Sequence, residues 1–308
     1  MNSKNLKCAL CGSLLLVLSA CSQPEKESLV SGTDAIDLIA FQTSRDGNSE
    51  IYLMDAGGAR LVNVSLHDSL DYHPSGSLDG SLITFISGRG DSREIWVMDR
   101  DGSNPRQITT SPNGSIDPSF SPDGSQIVYD AQNEEGNDEI FIISVDGGEA
   151  VNISNHSAVD SHPFWSPSGD RIAFYSNRMV PESDSMDIFV MNIDGTEVTR
   201  LTNHEADDRY PSWSPDGSRL AFSSDRDGDA EIYLMEASDG SGVTRLTFSA
   251  EDDLAPAWSP DGTQIVFVSA REGAFEVMII NVDGTGETNL SNHETSDSNP
   301  RWVPARTQ

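Results

Sequence analysis

A ten-residue motif that recurs along this chain constrains its fold more than any other feature of the sequence. Three clear copies, at 160–169, 208–217 and 253–262, share the pattern Asp-x-x-Pro-x-Trp-Ser-Pro-x-Gly. Two weaker copies, at 71–80 and 115–124, carry Gly76 and Phe120 in place of the tryptophan. Self-similarity at a fixed period predicts a repeat architecture. The aligned prolines recur every 44 to 48 residues and are Pro74, Pro118, Pro163, Pro211, Pro256 and Pro300.

Each repeat contains the residues for four short β-strands. The Asp-Gly or Ser-Gly pair in each motif is a hairpin signal because these residues tolerate positive φ, and an alternating apolar segment such as 172–174 follows it. A second glycine turn, for example at Asp194 and Gly195, precedes a short fourth strand. No segment shows a helical period. The predicted third strands, which are rich in β-branched and aromatic residues, lie at 51–54, 95–98, 140–143, 188–191, 232–235 and 277–280.

The two ends of the repeat region complete one unit. The first unit begins at Ile39 in its second strand, whereas Pro300 and Trp302 form an isolated first strand near the C-terminus. Joining the two fragments closes a ring and removes free sheet edges, which would otherwise promote aggregation. The sequence therefore predicts an all-β fold: a six-bladed β-propeller over residues 38–308, closed by strands from both termini.

These motifs, Trp-Ser-Pro-Asp-Gly followed by a Ser-x-Arg-x-Gly loop and an Ile-Tyr-x-Met strand, resemble the propeller repeat of TolB, the periplasmic member of the Tol-Pal envelope system. The resemblance covers residues 39–303. It implies a propeller that binds envelope proteins. The chain is expected to lack the α/β domain that precedes the propeller in TolB, so a role in a Tol-Pal system does not follow directly.

The N-terminus predicts export and lipid anchoring. Lys4 and Lys7 precede an apolar run that ends at Ala20 and Cys21, which is typical of a secretory signal over residues 1–20. The small residue before a cysteine resembles the bacterial lipobox, which implies cleavage before Cys21 and acylation of its thiol; an ordinary signal peptide is the alternative. Residues 21–37 then form a flexible linker. Ser22 follows the cysteine, which resembles the lipoproteins that Gram-negative bacteria pass on to the outer membrane. We therefore expect the protein to lie on the periplasmic face of that membrane.

The net charge of the chain limits the kinds of molecule that it can bind. The formal net charge is −31, so the surface repels nucleic acid and anionic lipid. No lysine occurs after Lys26, and arginine is the side chain suited to fixed pairing with carboxylates. We therefore expect an acidic monomer that contacts the membrane through its lipid anchor alone and binds an envelope protein or peptide.

Five aspartates stand three residues before the aligned prolines, where each innermost strand begins. Two roles are open for them. In the first role they are structural, and they accept hydrogen bonds from backbone N–H groups or pair with arginines from the loops between second and third strands, namely Arg45, Arg89, Arg178, Arg226 and Arg271. Alternatively, their carboxylates ring the mouth of the channel and bind a cation or a basic peptide. The five are Asp71, Asp160, Asp208, Asp253 and Asp297.

An enzyme is not expected, because the sequence has no nucleophile elbow, no His-Glu-x-x-His and no phosphate loop. Four histidines recur seven residues before the proline and suit a structural role: His67, His156, His204 and His293. His73 and His162 stand directly before it and are the better candidates for metal ligation. We expect no cofactor, although a bound divalent cation stays open.

Three hypotheses follow for the function. The leading one is a lipid-anchored scaffold that binds a protein or peptide in the bacterial envelope. The second is a metal-dependent lyase or hydrolase acting in the propeller channel, and the third is a structural component of the envelope. The absence of catalytic motifs favours the first over the second.

Overall fold

The computed structural model describes residues 36–90, 92–178, 185–271 and 273–306. Every helix or strand assigned within these residues is a β-strand, and none of them forms a helix able to cross a lipid bilayer. The predicted signal peptide, Cys21 and residues 21–35 of the predicted linker lie outside the described residues.

The described strands form six antiparallel sheets of four strands each, which are the blades of a propeller. The innermost strands are β4 (Asp71–Gly76), β8 (Ser115–Phe120), β12 (Asp160–Trp165), β16 (Asp208–Trp213), β20 (Asp253–Trp258) and β24 (Asp297–Val303). The second strands are β1 (Leu38–Thr43), β5 (Leu82–Ser87), β9 (Gln126–Gln132), β13 (Arg171–Ser176), β17 (Arg219–Ser224) and β21 (Gln264–Ser269).

The outer half of each blade has one long and one short strand. The third strands are β2 (Glu50–Asp55), β6 (Glu94–Asp99), β10 (Asp138–Ser144), β14 (Asp187–Asn192), β18 (Glu231–Glu236) and β22 (Glu276–Asn281). The fourth strands are β3 (Val62–Asn63), β7 (Arg106–Gln107), β11 (Val151–Asn152), β15 (Thr199–Arg200), β19 (Thr244–Arg245) and β23 (Thr288–Asn289). We number the blades 1 to 5 from β4–β7 to β20–β23, and blade 6 is β24 with β1–β3.

Blade 6 closes the ring with strands from both ends of the chain, as predicted. Strand β24 pairs antiparallel with β1, and Leu38 lies opposite Val303. The buried guanidinium of Arg100, from blade 1, donates to the carbonyl oxygens of Ile36, at 2.7 Å, and Pro304. One side chain therefore holds both chain ends on the same face of the propeller.

The hydrophobic core is divided among the contacts between neighbouring blades. Six clusters of buried side chains are present, one at each blade–blade interface. The second strands contribute phenylalanines that are fully buried, such as Phe85 and Phe222. Each blade buries its two faces against its neighbours, so closure of the ring is necessary for every interface to form.

Each innermost strand has a kink at its third residue. The residue directly before the proline adopts a left-handed φ between 51° and 57°, and the pairing with the second strand is interrupted there. Non-glycine residues rarely adopt this conformation, which costs about 1–2 kcal/mol. The six kinked residues are His73, Asp117, His162, Tyr210, Ala255 and Asn299.

Candidate functional site

The five aspartates predicted at the channel mouth are completely buried at the start of the innermost strands. Each carboxylate pairs with the arginine that follows the second strand of its own blade, as the structural role predicts. The pairs are Asp71 with Arg89, Asp160 with Arg178, Asp208 with Arg226, Asp253 with Arg271 and Asp297 with Arg45.

The paired arginines also stack on aromatic rings of the same blade. The guanidinium carbon of Arg178 lies 5.0 Å from the centre of the Phe174 ring, and that of Arg226 lies 4.9 Å from the Tyr233 ring. Arg178 donates from Nε and Nη2 to the two carboxylate oxygens of Asp160 while it stacks, which a single ammonium cannot do. Arginine therefore suits the positions of these pairs.

Blade 2 lacks both members of the pair. Ser115 stands where the other blades have aspartate, and Asn133 stands where they have arginine. Losing both together leaves no buried charge without a partner. The structure offers no exposed carboxylate at the five aspartate positions, so we locate the candidate binding site elsewhere in the channel.

The kinked residues before the prolines form that site. His73, Asp117 and His162, from three consecutive blades, meet Asn299 and Arg301 of blade 6 around a cavity of about 290 Å³, including space open to solvent. We call this cavity the axial pocket. The kink turns each side chain out of the strand pairing, because a left-handed residue interrupts the alternation of side chains along a strand.

Asp117 is at the centre of the pocket, between two imidazoles. Its Oδ1 makes a very short contact with Nδ1 of His73, and its Oδ2 lies 3.1 Å from Nδ1 of His162. Burial alone would raise the pKa of Asp117, but its contacts with the imidazoles of His162 and His73 lower it well below its usual range. Asp117 is therefore an ionised carboxylate inside the pocket at neutral pH.

His162 is neutral in this arrangement. Burial lowers its pKa despite the nearby charge of Asp117. Its Nε2 lies 2.8 Å from Nη2 of Arg301, which can only donate, so Nε2 accepts and the ring proton is on Nδ1. That proton faces Asp117. The side chain of His73 is 30% exposed, compared with 6% for His162, so His73 is the member of the cluster that a partner can reach.

Arg301 crosses the channel. It belongs to blade 6 but contacts His162 and stacks 5.9 Å above the ring of Phe164, both in blade 3 on the opposite side of the ring. Its Nη1 donates to the carbonyls of Pro300 and Ala255 at 3.1 and 3.4 Å. Burial lowers the pKa of Arg301 to about 10, so the guanidinium is still charged at neutral pH.

Second strands of preceding blades support the kinks. Oε1 of Gln42 accepts a hydrogen bond from the backbone N–H of His73 at 3.1 Å, and Asp130 Oδ1 does the same for His162 at 3.1 Å. Burial and then repulsion from Asp117 raise the pKa of Asp130 well above its usual range. The geometry of the pocket therefore depends on contacts between blades.

The four outer histidines have a structural role, as predicted. Nδ1 of each accepts a hydrogen bond from the backbone N–H two residues further on; this distance is 3.0 Å for His67 and 3.1 Å for His204. The backbone N–H groups of His156 and His293 also donate to the buried Glu139 and Glu276. These histidines fix the loops that lead into the innermost strands.

His73 and His162 come together, as a shared site requires, with ring centres 6.5 Å apart. Within the described ranges, no three His, Cys, Asp or Glu side chains are arranged to hold a metal ion. Metal ligation by the two histidines stays a prediction.

A second cavity opens at the other end of the channel. It measures about 1000 Å³, including space open to solvent, and shares Phe164 and Arg301 with the axial pocket. We call it the funnel, and we call Phe164 and Arg301 the septum. The wall of the funnel contains the aromatic residues Phe120, Trp165, Trp213, Trp258 and Trp302 and the prolines Pro122, Pro167, Pro215, Pro260 and Pro304.

Sequence analysis found the two histidines but missed Asp117 and Arg301. Both belong to columns of the repeat that vary from blade to blade. In the column after the proline, four blades have a small residue and two have Phe164 and Arg301. A large side chain at a repeat position that has a small residue in most blades was the signal that could have identified the septum.

The fold and the polar cluster on its axis define a β-propeller with a candidate binding pocket in the channel. The family model for the TolB β-propeller domain matches residues 34–134 and 94–308, so the chain belongs to the TolB β-propeller domain family. A search of curated proteins found no match.

Solved structures show the same fold. TolB from Acinetobacter baumannii superimposes with a TM-score of 0.78 at 23% identity, covering 87% of this chain but 66% of that protein. A TolB from Agrobacterium tumefaciens gives a TM-score of 0.67 at 25% identity, and the match covers 83% of this chain and 88% of that protein. An oligogalacturonate lyase from Vibrio parahaemolyticus gives a TM-score of 0.60 at 16% identity, and the match covers 84% of this chain and 75% of that protein. This chain thus spans less than two thirds of the A. baumannii TolB, and the fold also occurs in an enzyme.

Proposed function

We propose that this protein is a lipid-anchored scaffold on the periplasmic side of the bacterial outer membrane and that it binds a protein or peptide partner at the axial pocket. The observation that carries the proposal is the cluster of His73, Asp117 and His162, which the fold assembles from three blades at strained backbone positions. Strain of this kind persists at functional sites because the surrounding structure maintains it.

The chemistry of the pocket suits recognition. An ionised carboxylate and two imidazoles offer hydrogen bonds of fixed direction, and the septum closes the floor beneath them. The enclosed space is only about 20 Å³, so a partner contacts the exposed edge of His73 and does not insert a side chain. A few polar groups of fixed position determine the orientation and specificity of such a contact. Membership of the TolB propeller family supports a partner from the cell envelope, and the predicted acylation of Cys21 supports the location.

Affinity capture from the detergent-solubilised envelope of the source cell tests the proposal. We compare the wild type with His73→Asn, because asparagine tolerates the left-handed φ of 51° and removes the imidazole. The matched control is His204→Asn, on an outer loop. We expect one partner to be captured by the wild type and the control, and at least tenfold less by His73→Asn.

Two results would contradict the proposal. If the wild type captures no specific protein, the scaffold function is wrong; if His73→Asn captures as much as the control, the partner binds elsewhere. The anchor is tested separately: Cys21→Ser should abolish incorporation of a labelled fatty acid and move the protein from the membrane to the soluble fraction.

A further inference from the structure

Blade 1 departs from the repeat at the wall of the funnel. Gly76 stands where the other blades have an aromatic residue, and Leu78 stands where they have proline. A Cβ atom at Gly76 would lie 2.8 Å from the carbonyl oxygen of Trp302 and 2.9 Å from Cα of Val303. A side chain therefore does not fit at Gly76, and the aromatic wall has a gap at this blade.

The gap is bordered by an exposed leucine. Leu78 lines the funnel and is 55% exposed. The aromatic side chains of the wall are more than nine-tenths buried, so the funnel is an apolar cavity, and Leu78 on its rim is an exposed apolar side chain. A concave apolar site is the usual form of a ligand-binding site.

The turns around the rim carry negative charge. Asp79, Asp123, Asp216 and Asp261 each accept a hydrogen bond from the serine two residues before them. Such hydrogen bonds, with those from the following turn, lower the pKa of Asp123 and Asp216 to about 2, so these carboxylates are ionised at any physiological pH. An occupant that carries positive charge is complementary to this rim.

Positive side chains offset part of this charge, because Arg306 acts on Asp79 and Arg219 acts on Asp216. The guanidinium of Arg219 is stacked 5.0 Å above the ring of Trp258, and Arg301 lies below the wall, in the septum. Each of the four aspartates directly follows a residue that lines the funnel, which is Leu78 in blade 1 and a proline in the other three blades.

We propose that the funnel is a second docking site, distinct from the axial pocket, and that it binds a basic peptide segment with apolar side chains. The apolar side chains enter the gap beside Leu78 and contact the tryptophans, while the flanking cations meet the aspartates of the rim. This proposal does not rest on the function proposed above, because the two cavities lie on opposite sides of the septum.

Tryptophan fluorescence gives a direct test, since four of the five tryptophans line the funnel and only Trp96 is elsewhere. The probe is an acetylated, amidated peptide of sequence Lys-Leu-Pro-Leu-Lys, titrated into the full-length protein. We expect a saturable change in emission that weakens as NaCl rises from about 0.05 to 0.5 M, because salt screens exposed charges. The acidic counterpart Glu-Leu-Pro-Leu-Glu should produce no saturable change.

Variants of exposed leucines locate the site. Leu78→Ser should weaken binding about tenfold, the order expected for losing one apolar contact. The matched control, Leu70→Ser, changes a leucine that is 51% exposed and does not line the funnel, and it should bind like the wild type. His73→Asn should also bind the peptide normally, which separates this result from the test of the axial pocket.

Three outcomes would overturn the proposal: no saturable change with the basic peptide, equal binding of the acidic peptide, or equal binding by Leu78→Ser. A fourth outcome would replace the partner with a segment of this chain. The described structure begins at Ile36, on the face of the propeller where β24 ends. If the peptide binds only after Leu29 and Val30 are changed to serine, the occupant is the N-terminal segment of this chain and not a partner.

Discussion

The first and third residues of the innermost strands lie two positions apart, yet they behave in opposite ways. At the first position, five blades have the same aspartate, buried and paired with the same arginine. At the third position, all six blades have the same left-handed backbone but five different residue types. The ion pair repeats in both chemistry and geometry, whereas the kink repeats in geometry alone.

Within one strand, the first position thus stabilises the fold, whereas the third position presents a side chain that can serve the function. A contact that every blade needs is maintained as a unit, and blade 2 shows this because it lacks both members together. A kink that presents a side chain to the axis can vary its residue without changing the blade. In this propeller, recognition is therefore expected where the repeat varies.

Breaking one ion pair should have the largest effect. Asp160→Ser leaves Arg178 buried without its carboxylate, and removing one partner of a buried pair costs about 3–5 kcal/mol of unfolding free energy. The double variant Asp160→Ser with Arg178→Asn reproduces the combination found in blade 2, and it should regain most of the loss. Urea unfolding measures both. A double variant no more stable than Asp160→Ser would show that the two residues are not coupled.

The five pairs are not equivalent, and pH should distinguish them. Burial raises the pKa of Asp253 to about 6, above the value of about 3.9 for an unfolded chain. The folded state then binds a proton at Asp253 more tightly than the unfolded state does. The stabilisation that this carboxyl group provides is therefore present below about pH 4 and is lost as the pH rises through about 6. The stability of the wild type relative to Asp253→Asn should therefore fall by about 2 kcal/mol between pH 4 and pH 7. A difference that stays constant over this range would contradict the prediction.

Restoring a side chain at the gap of the funnel should destabilise the protein. Gly76→Ala places a methyl group against the backbone of β24, and overpacking of this kind costs about 2 kcal/mol. The control is Ser75→Ala, at the neighbouring position of the same strand. Unfolding by urea that gives equal midpoints for both variants would mean that the strands can separate, and that the gap has no steric origin.

Relieving one kink should have the smallest effect. Ala255 has a φ of 54° and no side-chain function in the axial pocket. Ala255→Gly removes the left-handed strain but adds freedom to the unfolded chain, so we expect a net gain of about 0.5 kcal/mol. Thermal unfolding detects this as a slightly higher midpoint. A lower midpoint would indicate that the kink is not strained.

Much of the fold could be predicted from the sequence, because the repeat supplies independent copies of each signal. The period gives the number of blades, the glycine turns separate the strands, and the fragments at Ile39 and Trp302 identify the closure. The pairing of the aspartates with the arginines could also be predicted from the sequence, since both members recur at fixed positions.

The candidate site was predicted only in part. His73 and His162 were identified from their position before the prolines, but the sequence alone does not show that Asp117 lies between them. The three residues are 44 and 45 positions apart, and only the curvature of the ring brings them within hydrogen-bond distance.

The sequence by itself determined the blade and the number of blades, and it offered the ion pair in five blades as one of two roles for the aspartates, because these features depend on local patterns that recur. Only the tertiary structure decided that the aspartates are buried, that Arg301 reaches across the channel to His162, and that Gly76 opens the funnel. The physical reason is that these features depend on distances between blades, which closure of the ring determines and which no single repeat encodes.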